Sequence, residues 1–187
     1  MDIDAGSVVD DAARVSLADL LVGLAMFAVV GAAAFTLLDE GRRAWAFGMA
    51  RAETQQSARV ALARLSAELR VAGRGGRDFD AVALAEPDTI VLQQELDGDG
   101  VIAANGERVT WRLVGTVLRR DAGGGLQPIV NGVRSFRLTY FDAAGAPTLA
   151  PAAVRSVEVA LATRPDYSVV GSTVETVLTT RVRLRNR

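Results

Sequence analysis

Any chemistry in this chain has to come from carboxylates, guanidinium groups and hydroxyls. Its 187 residues hold 22 Asp plus Glu and 21 basic residues, with 0 His and 0 Cys. Every basic residue is Arg. Without His or Cys there is no Ser-His-Asp triad, no thiol nucleophile and no zinc site of the usual nitrogen and sulfur ligands. Without Lys there is no Schiff base and no phosphate-loop lysine. No GxSxG motif and no defensible catalytic carboxylate pair occur, so no enzymatic role is expected. A net charge of −1 gives no general case for a nucleic-acid partner.

Three groups of charged residues stand out. The first is Glu95-Leu96-Asp97-Gly98-Asp99-Gly100-Val101-Ile102. Glu95, Asp97, Asp99 and Gly100 take the first, third, fifth and sixth places of a calcium-binding loop, and the Val101 carbonyl takes the seventh. Gly106 stands where a bidentate Glu is expected, with Glu107 one place beyond. A hard cation, calcium, would draw on Glu95, Asp97, Asp99, Val101 and Asn105. The alternative is a tight hairpin turn that uses Asp and Gly for its geometry. The second is Asp19, a carboxylate inside an apolar run. In hydrocarbon it costs about 2.5–3.5 kcal/mol, so it needs a partner or a route to water at the helix end. The third is the stripe Arg181, Arg183, Arg185 and Arg187. It reads either as a site for an acidic partner or as the charged outer face of an edge strand.

These residues need elements to hold them. Val15–Leu38 is apolar apart from Ser16, Asp19 and Thr36. About 20 apolar residues cross a bilayer, so a single tilted transmembrane helix is expected. Trp45 and Phe47 then read as interfacial anchors. No Pro precedes Pro87, and the helical pattern continues to Ala72. Ala58, Leu62, Leu65, Leu69 and Ala72 share one face, with Arg59, Arg64, Glu68 and Arg70 off it. Gly73 is the expected stop, and Gly41 and Gly48 are candidate bends.

From residue 81 the period becomes two. Ile90, Leu92 and Leu96 alternate with Val91, Gln93 and Glu95. Val109, Trp111 and Leu113 form a second set; Phe136, Leu138 and Tyr140 a third; Val157, Val159 and Leu161 a fourth; Leu178, Val182 and Leu184 a fifth. Turn signals at 97–100, 105–107, 121–125 and 142–147 separate them, which predicts mainly antiparallel strands. Surface loops are expected at 143–153 and 164–173. The class is α+β: a leader-like segment 1–14, a transmembrane helix over 15–38, then an amphipathic helix and sheet domain over 39–187.

This layout resembles the type IV pilin-like proteins. Their precursors share G-F-T-L-x-E-L-L at the start of the apolar helix. Here the matching stretch is Arg14-Val15-Ser16-Leu17-Ala18-Asp19-Leu20-Leu21. The downstream segments QQSARVALARLSAELRVAG, LDGDGVI, VTWRL, VRSFRLTYFDAAG and TTRVRLRNR are similar to minor pilins of the PilW type. The J-type minor pseudopilin of type II secretion is a close alternative. Three departures are plain. Arg14 stands at the processing junction where the family has Gly, and Val15 replaces the methylated Phe. The leader is acidic where family leaders are usually basic.

The resemblance implies a structural subunit held in the bacterial inner membrane by one helix, with its ectodomain in the periplasm and at the cell surface once in a pilus. It implies docking to other minor pilins, the major pilin and the assembly platform, at or near the filament tip, with a part in priming assembly. It gives Asp19 the task of pairing with the free N-terminal amine of a neighbouring subunit. Ala18, Gly23, Ala25, Ala28, Gly31 and Ala32 would let helices approach closely. Two rival readings stay open: an anchored binding module that never polymerises, and a calcium-regulated adhesion domain.

Overall fold

The computed structural model describes residues 16–76, 78–164 and 175–186. The leader-like segment, the junction Arg14–Val15, Arg187 and residues 165–173 of the expected second loop lie outside them. The fold is a long N-terminal helix packed against a β domain whose strands pair antiparallel. The chain separates into two compact units, Met1–Trp45 and Ala46–Arg187.

Helix α1 is Leu17–Val71, 55 residues. No proline interrupts it, and Gly41 and Gly48 lie inside its helical span. In the first unit its side chains are almost all exposed, including Leu20, Leu24, Phe27, Val30 and Phe35. Its most apolar 18-residue window has a mean hydropathy of 2.4, and 0 % of that window is buried. That helix is long and apolar enough to cross a membrane.

In the second unit the helix turns amphipathic. Ala58, Ala61, Leu62, Leu65 and Leu69 are buried, and Arg59 and Arg64 are exposed. The helix ends at Gly73, whose φ of 78° suits a residue without a Cβ. Its N–H donates to the Gln93 carbonyl at 2.8 Å. Asn186, far along the chain, donates through Nδ2 to the Val71 and Ala72 carbonyls, both at 3.1 Å. It thereby satisfies acceptors that the last helical turn leaves open.

Two sheets follow. The first is a meander of β1 (Val82–Ala85), β2 (Thr89–Gln93), β3 (Arg108–Val114), β4 (Val117–Asp121) and β5 (Gln127–Val130). The second holds β6 (Val133–Phe141), β7 (Ser156–Thr163) and β8 (Thr176–Arg183). Pro128 helps explain the break. It lacks an N–H, so β5 sits at a sheet edge and the chain starts a new sheet at Val133. Leu138 N–H donates to the Pro87 carbonyl at 2.7 Å, and Val133 N–H to the Thr116 carbonyl at 2.9 Å, tying β6 to the first sheet. One core joins the helix face, Ile90, Trp111 and Leu118 from the first sheet, and Phe136, Tyr140, Val159 and Val182 from the second.

Alternation holds in β3, β6 and β7 as expected. It fails in β2, where Ile90, Val91 and Leu92 are all buried. β2 is an inner strand between β1 and β3, and its run Ile90-Val91-Leu92 is apolar without a break. The expected pattern also inverts just beyond it. Glu95 is 7 % exposed and Leu96 is 53 % exposed. The strand ends at Gln93, and the Glu95 carboxylate is turned inward by backbone amides. The region 143–153 is largely exposed but carries a short 3₁₀ turn, Pro151–Ala153, before the buried Val154.

Candidate functional site

At the start of α1, Ser16 and Asp19 close on each other. The Ser16 N–H donates to Asp19 Oδ2 at 3.2 Å, and the Ala18 N–H donates to Ser16 Oγ at 3.2 Å. This is a reciprocal cap: two helix-start amides that lack intrahelical partners are satisfied by side chains three residues apart. The signal Ser-x-x-Asp was present in the sequence and marks where the helix begins. Asp19 therefore has a local partner and lies at the helix end, exposed with its neighbours Leu17, Leu20 and Leu21. A Cβ added at Gly23 or Gly31 would meet nothing within 4 Å, so both leave open shelves on the apolar helix.

The acidic loop joins β2 to β3 and is organised around two inward carboxylates. Glu95 Oε1 accepts the N–H groups of Asp97 at 3.2 Å and Gly98 at 2.9 Å. Glu107 is fully buried. Its Oε1 accepts the Leu96 N–H at 2.9 Å, and its Oε2 accepts those of Ala103 at 3.0 Å and Ala104 at 2.7 Å. The Leu96 amide above all, then those of Ala104 and Ala103, hold the Glu107 carboxyl down to about 2 against the opposing effect of burial. Glu107 sits one place outside the calcium-loop spacing, so the spacing alone did not reveal this second centre.

The structure brings Glu95, Asp97 and Asp99 together, with a carboxylate oxygen of each within 4.8 Å of the others. Asp97 Oδ1 accepts the Asp99 N–H at 3.1 Å, and Asp99 Oδ1 accepts the Val101 N–H at 2.7 Å. Gly98 and Gly100 have φ of 84° and 81°, as the turn requires. The Val101 carbonyl accepts the Ala103 N–H at 2.9 Å and keeps a second lone pair. The Asn105 side-chain oxygen packs against Gly123 in the β4–β5 turn.

Two polar anchors escaped the periodicity. Glu68, off the apolar helix face, accepts the Trp111 indole N–H at 2.6 Å and the Arg120 Nε–H at 2.8 Å. Trp111 and Arg120 face each other across β3 and β4, so one helix carboxylate holds both strands. The Tyr140 hydroxyl donates toward the Glu86 carbonyl at 2.7 Å and the Thr89 carbonyl at 3.1 Å. Burial pushes its phenol upward from the ordinary value. Arg181, Arg183 and Arg185 are exposed, the first two on edge strand β8. Arg181 reaches the Ser156 hydroxyl through Nε and Nη2 at 3.3 and 3.2 Å and lies 3.8 Å over the Phe141 ring.

No protein-family model matches the chain, and no curated protein matches it.

Proposed function

We propose that this chain is a minor pilin: a structural subunit that packs its N-terminal helix into a type IV pilus, at or near the tip, and helps prime assembly. What supports the reading is one helix of two characters. Its first part is apolar and exposed on all sides, and its later part is amphipathic and buried against two antiparallel sheets. An apolar helix without a covering partner needs lipid or other helices. Small residues along it, among them Ala18, Gly23, Ala25 and Gly31, would let other helices approach closely.

In this reading the protein waits in the bacterial inner membrane with its β domain in the periplasm. Its partners are other minor pilins, the major pilin and the assembly platform. Asp19 is the docking residue, because a carboxylate carried into an apolar filament core gains strongly from a neighbouring subunit's terminal amine. That amine arises only if the chain is cut before Val15.

The experiment is intact mass and N-terminal sequencing of the native protein from membranes and from sheared filaments. A chain starting at Val15 in the filament fraction supports an incorporated pilin. A chain retaining residues 1–14 and confined to membranes overturns it. Arg14 at the junction favours that second outcome's reading, a membrane-anchored binding module that does not polymerise.

A further inference from the structure

Two oxygens bound to one calcium ion, each at about 2.3–2.6 Å, can lie no more than about 5 Å apart. The carboxylates of Glu95, Asp97 and Asp99 meet that limit, at 4.8 Å or less from one another. Clustered acids alone would say little, because Asp and Gly also build turns. Glu95 adds an independent observation. Its side chain belongs to a residue only 7 % exposed, and its Oε2 is buried with no hydrogen-bond partner. Its Oε1 is already used by two amides of the turn. A carboxylate oxygen shut away from water without a donor is costly and calls for a positive partner.

Nothing nearby supplies that charge. Glu107 is a second carboxylate, within hydrogen-bonding reach of the Glu95 side chain and already engaged with three amides. Among the described residues, the ion pairs involve Asp39 and Glu68, and none reaches Glu95, Asp97, Asp99 or Glu107. Four acids therefore gather in one loop with no cationic side chain paired to them. Asp97 and Asp99 each use Oδ1 to brace the turn and have Oδ2 to spare.

We propose that the turn between β2 and β3 binds one calcium ion through Glu95, Asp97 and Asp99, with the Val101 carbonyl as backbone ligand. Calcium fits better than magnesium. It accepts six to eight oxygens in irregular arrangements, whereas magnesium demands a near-ideal octahedron and gives up water reluctantly. The ion supplies the partner that Glu95 lacks, and it fastens the loop from the end of β2 to the start of β3. The site belongs to the β domain and does not depend on the filament reading.

The test uses the full-length protein in detergent, stripped with EGTA and then titrated with calcium chloride at neutral pH. Calorimetry should show one saturable site per chain. The melting temperature should rise by roughly 5–10 °C at a hundredfold excess over the dissociation constant. Magnesium chloride at the same concentration should give a smaller shift. The double variant Asp97→Asn, Asp99→Asn keeps an oxygen acceptor for each bracing amide. It should melt no lower than the stripped wild type and lose both the heat and the calcium shift. Absence of heat and shift in the unmodified chain overturns the proposal. So does a full shift that survives in the double variant. Should that variant fail to fold, the titration of the unmodified chain decides, and Glu95→Gln repeats the test at the buried end of the site.

Discussion

Asp19 carries two separable properties, an acceptor oxygen and a charge. Its oxygen caps the Ser16 amide, and Asn can do the same. Its charge matters only if a positive group arrives. Asp19→Asn should leave membrane levels unchanged while cutting recovery in sheared filaments at least ~tenfold, equivalent to about 1.4 kcal/mol of lost docking. Asp19→Ala should add the loss of the cap, ~0.5–2 kcal/mol. Immunoblots of both fractions measure this, and wild-type incorporation of the Asn variant would sink the charge-pairing role. Glu68 is the second residue whose removal should be felt. Glu68→Ala strands the Trp111 N–H inside the core and frees Arg120, at a cost of roughly 1–3 kcal/mol. Thermal unfolding in detergent reads it, and a change below about 0.5 kcal/mol would show that the anchor is dispensable. The Glu68 pairing was not legible in the periodicity, because Glu68 stands just off the apolar face of α1. The Ser-x-x-Asp cap was legible, though it is a local signal and says nothing of distant partners.

At the scale of elements, faces were easier to read than partners. The burial of Ala58, Leu62, Leu65, Leu69 and Ala72 follows from a 3.6-residue period, and Gly73 follows from the end of that period. The structure adds why Gly73 tolerates no replacement. Its φ of 78° disfavours any side chain, and a Cβ would stand 2.8 Å from the Asn186 carbonyl oxygen and 2.9 Å from Ala81 Cβ. Gly73→Ala should therefore lower stability by at least ~1 kcal/mol, more than the same change at Gly48 in the helix interior, where Ala is the better helix former. Comparative melting of the two variants checks this, and equal stabilities would refute it. The strands were placed by alternation, but their division into two sheets was not. Alternation reports which side of a strand is covered and is silent on which strand lies beside it. The same limit explains Glu95. A period of two was extended past Gln93 into a loop, where amide groups and not the pleat decide which side chain turns inward.

For the whole molecule, exposure has two meanings. Val30 and Val60 are both exposed on α1, yet only Val30 lies in the uniformly apolar part. On the membrane-spanning reading proposed above, Val30→Asp should cost about 2.5–3.5 kcal/mol of insertion and move the protein into the alkali-extractable fraction. Val60→Asp should change stability by no more than about 0.5 kcal/mol and leave extraction as it was. Extraction of Val60→Asp to the same degree would mean that the membrane segment reaches further than the hydropathy indicates. One contact also orders events in time. Asn186 closes the end of α1 from a position 115 residues after Val71. At synthesis rates of about 5–20 residues per second, the helix waits roughly 6–23 s for that closing residue to be made. β8, which contributes Val182 to the core, emerges almost as late. The nascent chain thus carries a complete apolar helix long before it can close its core. Until Asn186 and β8 have been made, the last turn of α1 keeps open acceptors and the core of the β domain lacks Val182.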